Sequence, residues 1–170
     1  MTRLILAALL LLGLTRPAIA TPVTLHVVTT AVHDGDTLTF ERDGLTDHAR
    51  LLGIDAPELA QPRWGREAQL LVSELVWQRP TRLVIPHPKR PRDAYGRLLA
   101  LVYYDDTCIQ QVLLARGLAV ANAYGADVPG FEVFDLLMKN ARSRRVGVWS
   151  DPAFVDPQVW RKQKKHKDGQ

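Results

Sequence analysis

The stretch Asp34-Gly35-Asp36-Thr37-Leu38-Thr39-Phe40-Glu41-Arg42-Asp43-Gly44 decides the fold. Leu38 and Phe40 alternate with Thr37, Thr39 and Glu41, the period of two expected of a half-buried strand. Asp34-Gly35 and Asp43-Gly44 bracket the run, and both dipeptides favour the tight turns of hairpins. Extended sequence continues on either side, over residues 23–54. Three β-rich runs joined by two turns predict an antiparallel meander.

Beyond the meander the period changes. Ala68, Leu71, Val72, Leu75 and Val76 fall on one helical face. Arg79-Pro80 ends that helix, because a residue before proline is pushed out of the helical region. Residues 82–86 and 97–104 predict two more strands. The proline-broken segment between them, 86–92, cannot be regular and is expected as an exposed loop. A second helix is expected from Thr107, where Thr107 and Gln110 have the spacing of a capping box. Ile109, Val112 and Leu113 form its apolar face, and Gly117 suits a left-handed cap at its end. A third helix follows Pro129-Gly130, with Phe134, Leu137, Met138 and Ala141 on one face. From about residue 154 the chain turns polar and lysine-rich, which predicts a mobile basic tail. Five strands and three helices make an α+β design whose strands would close into a barrel to bury their edges.

The 170 residues suffice for one domain with one core. Met1-Thr2-Arg3 is a short basic start, residues 4–14 are apolar, and Ala18-Ile19-Ala20 is a small-residue cleavage pattern. That order is the layout of a secretory signal peptide. The apolar run falls short of the about 20 residues that span a membrane. The expected organisation is therefore a leader over 1–20, a folded domain over 21–153 and a basic tail over 154–170, with export to the periplasm or the medium. No stable membrane insertion is expected. Cys108 is the single cysteine. An internal disulfide is impossible, and Cys108 is expected as a small buried hydrophobe on the second helix.

The formal net charge is +4. Without Arg3 and Arg16 of the leader it falls to +2, and residues 151–170 carry all of that remainder. The high pI therefore says little about partners. The distribution says more: Arg79, Arg82, Lys89, Arg90 and Arg92 occur with no acidic residue among them. Such a stretch suits a polyanion, although a solvated loop has the same appearance.

Asp36 and Asp55 are natural ligands for a hard cation such as Ca²⁺, and no His/Cys set has zinc spacing. Glu58, three residues after Asp55, can orient or deprotonate a water near that cation. Arg50 and Arg97 can each grip phosphate oxygens in a two-pronged fashion. Tyr95 can stack on a base or donate to a phosphate, and Tyr124 is a further candidate for the same wall. Strict strand alternation, however, puts positions 50 and 55 on opposite faces. Gly53 could mark a bulge that resets the parity, or the strand could end before Asp55.

Val32-His33-Asp34-Gly35-Asp36-Thr37, residues 50–58 and Asp93-Ala94-Tyr95-Gly96-Arg97 resemble the three signature blocks of the thermonucleases, the staphylococcal nuclease-like family. Residues 114–119 and 147–149 are similar to that family too, and the resemblance spans about residues 23–151. It implies a five-stranded OB-type barrel packed with three α-helices. It implies Ca²⁺-dependent hydrolysis of DNA and RNA, leaving 3′-phosphate ends; little sequence preference, a single-stranded or denatured substrate and a monomeric state are expected with it. It implies that Asp36, Asp55 and the carbonyl of Ala56 hold the calcium, that Glu58 is the base or the water-orienting group, and that Arg50 and Arg97 stabilise the pentacovalent phosphate. Tyr95 would touch the substrate phosphate. The chain departs from the pattern at Ala94, where some members carry lysine; Arg90 or Arg92 could substitute. It departs again at Met138, where the third helix often carries a Glu that contacts the barrel.

A different class of reading is a non-catalytic OB-type module that binds single strands or a protein partner. The acidic trio argues against it, since carboxylates repel a polyanion unless a cation intervenes. A third reading keeps the apolar amino terminus in the envelope and sets the lysine tail on an anionic surface.

Overall fold

The alternation over residues 37–42 is expressed as β2 (Thr37–Arg42), which pairs antiparallel with β1 (Val23–Val32) and with β3 (Leu45–Leu51). The structure, a computed structural model, describes residues 21–168; the expected leader lies outside the described residues. After the first helix, β5 (Pro80–Ile85) pairs antiparallel with β1, and β6 (Leu98–Tyr104) with β5. β3 then pairs in parallel with β6 through Ala49–Leu98, Arg50–Leu99 and Leu51–Ala100. This last pairing closes the five strands into a barrel and leaves them without open edges. The α+β barrel expected from the sequence is present.

Leu38 and Phe40 point into the core, as the alternation requires. Thr37 and Thr39, the polar half of the pattern, are buried as well. Arg97 covers Thr37, while His33 and His48 both hydrogen-bond to the Thr39 hydroxyl. The outer face of β2 is thus covered by side chains from other segments.

Helix α1 (Trp64–Val76) buries Ala68, Val72 and Val76, the stripe read from the sequence. Two short strands, β4 (Ile54–Asp55) and β8 (Val120–Ala121), pair with each other beside the barrel. Strand β7 (Thr107–Cys108) precedes helix α2 (Ile109–Ala115). The expected capping box is not formed, because the helix starts two residues later and Gln110 turns inward. Its Oε1 accepts from the Val102 N–H at 3.1 Å, and its Nε2 donates to the Ala100 and Leu52 carbonyls at 2.9 and 3.4 Å. Buried backbone groups of the barrel need partners, and Gln110 supplies them. Cys108 is buried as expected, at the end of β7 and not within the helix, and burial pushes its thiol pKa up.

Helix α3 (Phe131–Ser143) buries Phe134 and Ala141. Met138 replaces the polar helix-to-barrel contact with a softer one: its sulfur accepts from the Ala121 N–H at 3.3 Å. The turn Gly147–Ser150 docks on the end of α2, where Val148 N–H donates to the Gly117 carbonyl at 2.8 Å.

The carboxy-terminal segment corrects the sequence reading. Residues expected to be a mobile tail form a fourth helix, α4 (Pro157–Asp168). Pro157 suits a first helical turn, and the Asp156 carboxylate accepts from the Gln158 N–H at 2.9 Å in the manner of a cap. Lys and Gln, which dominate the rest, are good helix formers. Just before the helix, Gln61 Nε2 holds the Val155 carbonyl at 2.7 Å. No helix among the described residues is long and apolar enough to cross a membrane.

Candidate active site

The loop between β1 and β2 delivers Asp36. Asp34 Oδ1 accepts from the Asp36 N–H at 2.9 Å and fixes the turn. Asp36 is only 6 % exposed. Its Oδ2 receives the Ala56 N–H at 2.7 Å and Arg50 Nη1 at 2.9 Å, and its Oδ1 receives the Thr37 hydroxyl at 3.2 Å. Burial pushes its pKa up to about 7; Arg50 opposes the rise, and Asp34 and Asp55 reinforce it.

Gly53 solves the parity problem. Strand β3 stops at Leu51, and Gly53 takes a φ of +84°, the left-handed region. The chain turns, re-enters an extended conformation at Ile54 and presents Asp55 on the same side as Arg50. Arg50 Nη2 lies 3.3 Å from Asp55 Oδ1, so one guanidinium joins both aspartates. Asp55 is 1 % exposed and forms the base of the site.

Glu58 follows on a loop braced by Gln61, whose Oε1 accepts the Glu58 N–H at 2.8 Å. Arg97 is set by the Asp93–Arg97 turn. Asp93 Oδ2 accepts from Arg97 Nε at 2.8 Å and lies 2.8 Å from Nη2, while Nη1 donates to Thr37 Oγ1 at 3.0 Å. Burial raises the Asp93 carboxyl, but bonds from Arg97 and nearby amides outweigh it and hold the pKa below the usual range.

These segments enclose a cleft of about 780 Å³ whose walls include Asp36, Arg50, Glu58, Tyr95, Arg97 and Tyr124. Tyr95 is largely exposed at the rim, its ring 5.4 Å from the Arg97 guanidinium. Tyr124 lies 6.0 Å from the Arg50 guanidinium, and burial with the nearby Asp55 pushes its phenol up to about 12. Ala56 meets Asp36 through its N–H.

Arg92 does not join them. Its guanidinium is bound two-pronged to Asp47 of β3, at 3.0 and 2.6 Å, and lines a separate groove. A nearer carboxylate holds it, so it is not the substitute for a lysine at Ala94. The basic run is dispersed in the same way: Arg79 lies over Tyr104 and Arg82 over Tyr103 on the barrel wall.

Two residues of the site were not read from the sequence. Asp93 lay inside a quoted block, yet its part in holding Arg97 needs the turn geometry. Arg161 of α4 enters the cleft from the far end of the chain. Its Nη2 meets Asp55 Oδ2 at 2.6 Å and Tyr124 Oη at 2.9 Å; its Nη1 meets Glu58 Oε1 at 2.7 Å and Asp55 Oδ1 at 3.1 Å. Hydrogen bonds to Asp55, opposed by burial and reinforced by Glu58, raise its pKa further. A lysine-rich neighbourhood gave no sequence signal for this arginine.

The donor chemistry can be tested against a metal. Among the described residues no three acidic, histidine or cysteine side chains converge as a ready cage. Asp36 and Asp55 do converge on Arg50, and Asp36 is held there against a substantial burial penalty. Two buried carboxylates with oxygen donors only fit a hard cation that keeps waters and shares a phosphate oxygen. They do not fit zinc.

Comparison with known proteins agrees with this architecture. Residues 48–151 match the family model described as staphylococcal nuclease homologue. An uncharacterized endonuclease of Haemophilus influenzae is 33 % identical over 135 residues, covering 79 % of this chain and 71 % of the relative. Endonuclease YncB of Bacillus subtilis is 36 % identical over 128 residues, covering 72 % of this chain; the chain spans only 60 % of that relative. The thermonuclease of Staphylococcus intermedius is 29 % identical over 123 residues, covering 69 % and 72 %. With the barrel, the block order and a family match over more than half its length, the chain belongs to the staphylococcal nuclease homologue family.

Proposed function

We propose that this chain is an enzyme, a calcium-dependent nuclease that hydrolyses phosphodiester bonds in DNA and RNA with little sequence preference. The reading includes single-stranded or denatured substrate, 3′-phosphate products, a monomeric state and export directed by residues 1–20. One observation carries it: Asp36 and Asp55 share the Arg50 guanidinium at one end of a cleft that also receives Glu58 and Arg97. Endonuclease and thermonuclease relatives support the reaction class.

Asp36 and Asp55 would hold the cation, with the Ala56 carbonyl as a further donor. When bound, the cation supplies positive charge beside the scissile phosphate and makes a neighbouring water more acidic. Glu58 takes the proton of the attacking water. As water oxygen bonds to phosphorus, the bond from phosphorus to the 5′ oxygen breaks. The 5′ oxygen leaves and takes a proton from solvent water, and the phosphate stays on the 3′ side. Negative charge gathers on the equatorial oxygens, where Arg50 and Arg97 are already oriented by Asp36, Asp55, Asp93 and Thr37. Tyr95 offers an exposed ring for a base at the rim. A binding-only module gives no role to three carboxylates facing a polyanion.

The test is a nuclease assay on the purified protein with calcium or with a chelator. Denatured DNA is degraded with calcium and spared with chelator, and Glu58→Gln lowers turnover by about 10²–10⁴-fold with the fold intact. Equal digestion in chelator, or an unchanged rate in the variant, would refute the mechanism.

A further inference from the structure

The Arg161 guanidinium has no task in the reaction just described, yet it makes four hydrogen bonds in the cleft. Both oxygens of Asp55 are engaged by it, and Glu58 is tied to it at 2.7 Å. Glu58 Oε1, which already accepts from Arg161 Nη1, is turned to that side chain and not to an attacking water. A guanidinium on both oxygens of Asp55 sets a fixed positive charge where a dication would bind. Arg161 therefore stands where the positive charge of the metal would act.

The element that delivers it is lightly held. Residues 162–167 of α4 are all exposed, and the helix meets the domain through its first turn, at Pro157, Trp160 and Arg161. Lys162, Lys164, Lys165 and Lys167 extend this exposed part. A polyanion near the cleft attracts those lysines, and a cation at Asp55 repels Arg161. The repulsion favours withdrawal of the helix.

We propose that α4 is an autoinhibitory latch: Arg161 occupies Asp55 and Glu58 in the resting protein and competes with calcium for them, and loading of the site releases the helix. The proposal rests on the reading of Asp55 as a calcium ligand. It predicts two linked states, one with Arg161 docked and one with calcium bound, so each must weaken the other.

The experiment is calorimetric titration of calcium into the full-length protein and into Arg161→Ala, without nucleic acid. The variant binds calcium more tightly, by a factor within the about 5- to 150-fold usual for such coupling. A second measurement needs no variant: in the unaltered protein, saturating calcium speeds hydrogen exchange of amides in residues 157–168. Equal or weaker calcium affinity in Arg161→Ala, or no faster exchange in α4, overturns the latch alone. Absence of calcium binding in both proteins overturns the calcium reading as well, and so separates the two failures.

Discussion

Replacing Gly53 by alanine tests whether the reset between β3 and β4 builds the site. At φ +84° an added Cβ costs about 1–2 kcal/mol in backbone strain alone. The same Cβ would stand 2.9 Å from Phe134 Cε2 and 2.9 Å from Val128 Cγ1. Phe134 is fully buried and has nowhere to retreat. Overpacking of that kind adds about 1–3 kcal/mol, for a total loss of about 2–5 kcal/mol. Gly44 provides the control. Its φ is +76°, but nothing lies within 4 Å of its added Cβ. Gly44→Ala should therefore lose only the backbone part, about 1–2 kcal/mol. Urea unfolding of both variants measures the difference. Nuclease turnover at a temperature where both remain folded measures the site. Gly53→Ala should also lose activity, because displacing Asp55 from Arg50 by even about 1 Å can cost about 10²-fold. If Gly53→Ala is no less stable than Gly44→Ala, the packing argument fails; if it is less stable yet fully active, Gly53 does not position the site.

Gln110→Met keeps the side-chain length but leaves Val102 N–H without its side-chain acceptor and Leu52 carbonyl without its donor, so it should lose about 1–3 kcal/mol in urea unfolding; a loss below about 0.5 kcal/mol would show that the pins are dispensable. Asp36 sets a pH dependence: its folded pKa, raised from 3.8 to about 7, means that the calcium-free folded protein binds a proton the unfolded chain has released. The associated stability is full below about pH 4 and is lost as pH rises through about 7. Unfolding in chelator at pH 5 and pH 8 should show the decline, and Asp36→Asn should flatten it; an equal decline in that variant would assign it to other groups.

The sequence by itself determined the main strands, the first three helices and the candidate site residues of this protein. Alternation and turn dipeptides specify β1 to β3, the stripe from Ala68 to Val76 specifies α1, and the order of the signature blocks gives Asp36, Arg50, Asp55, Glu58 and Arg97 together. These signals are local, arising from neighbours a few residues apart in the chain. Tertiary structure decided what depends on distant partners. Gln110 reads locally as half of a cap, but the closed barrel offers it buried amide and carbonyl groups. Arg92 reads as a phosphate ligand until β3 brings Asp47 within 2.6 Å. Arg161 reads as one charge in a solvated tail, 106 residues beyond Asp55, and only folding sets its guanidinium on that carboxylate. Coulomb attraction and hydrogen bonding act through space, so the pairing of a charge cannot be read from its sequence neighbours.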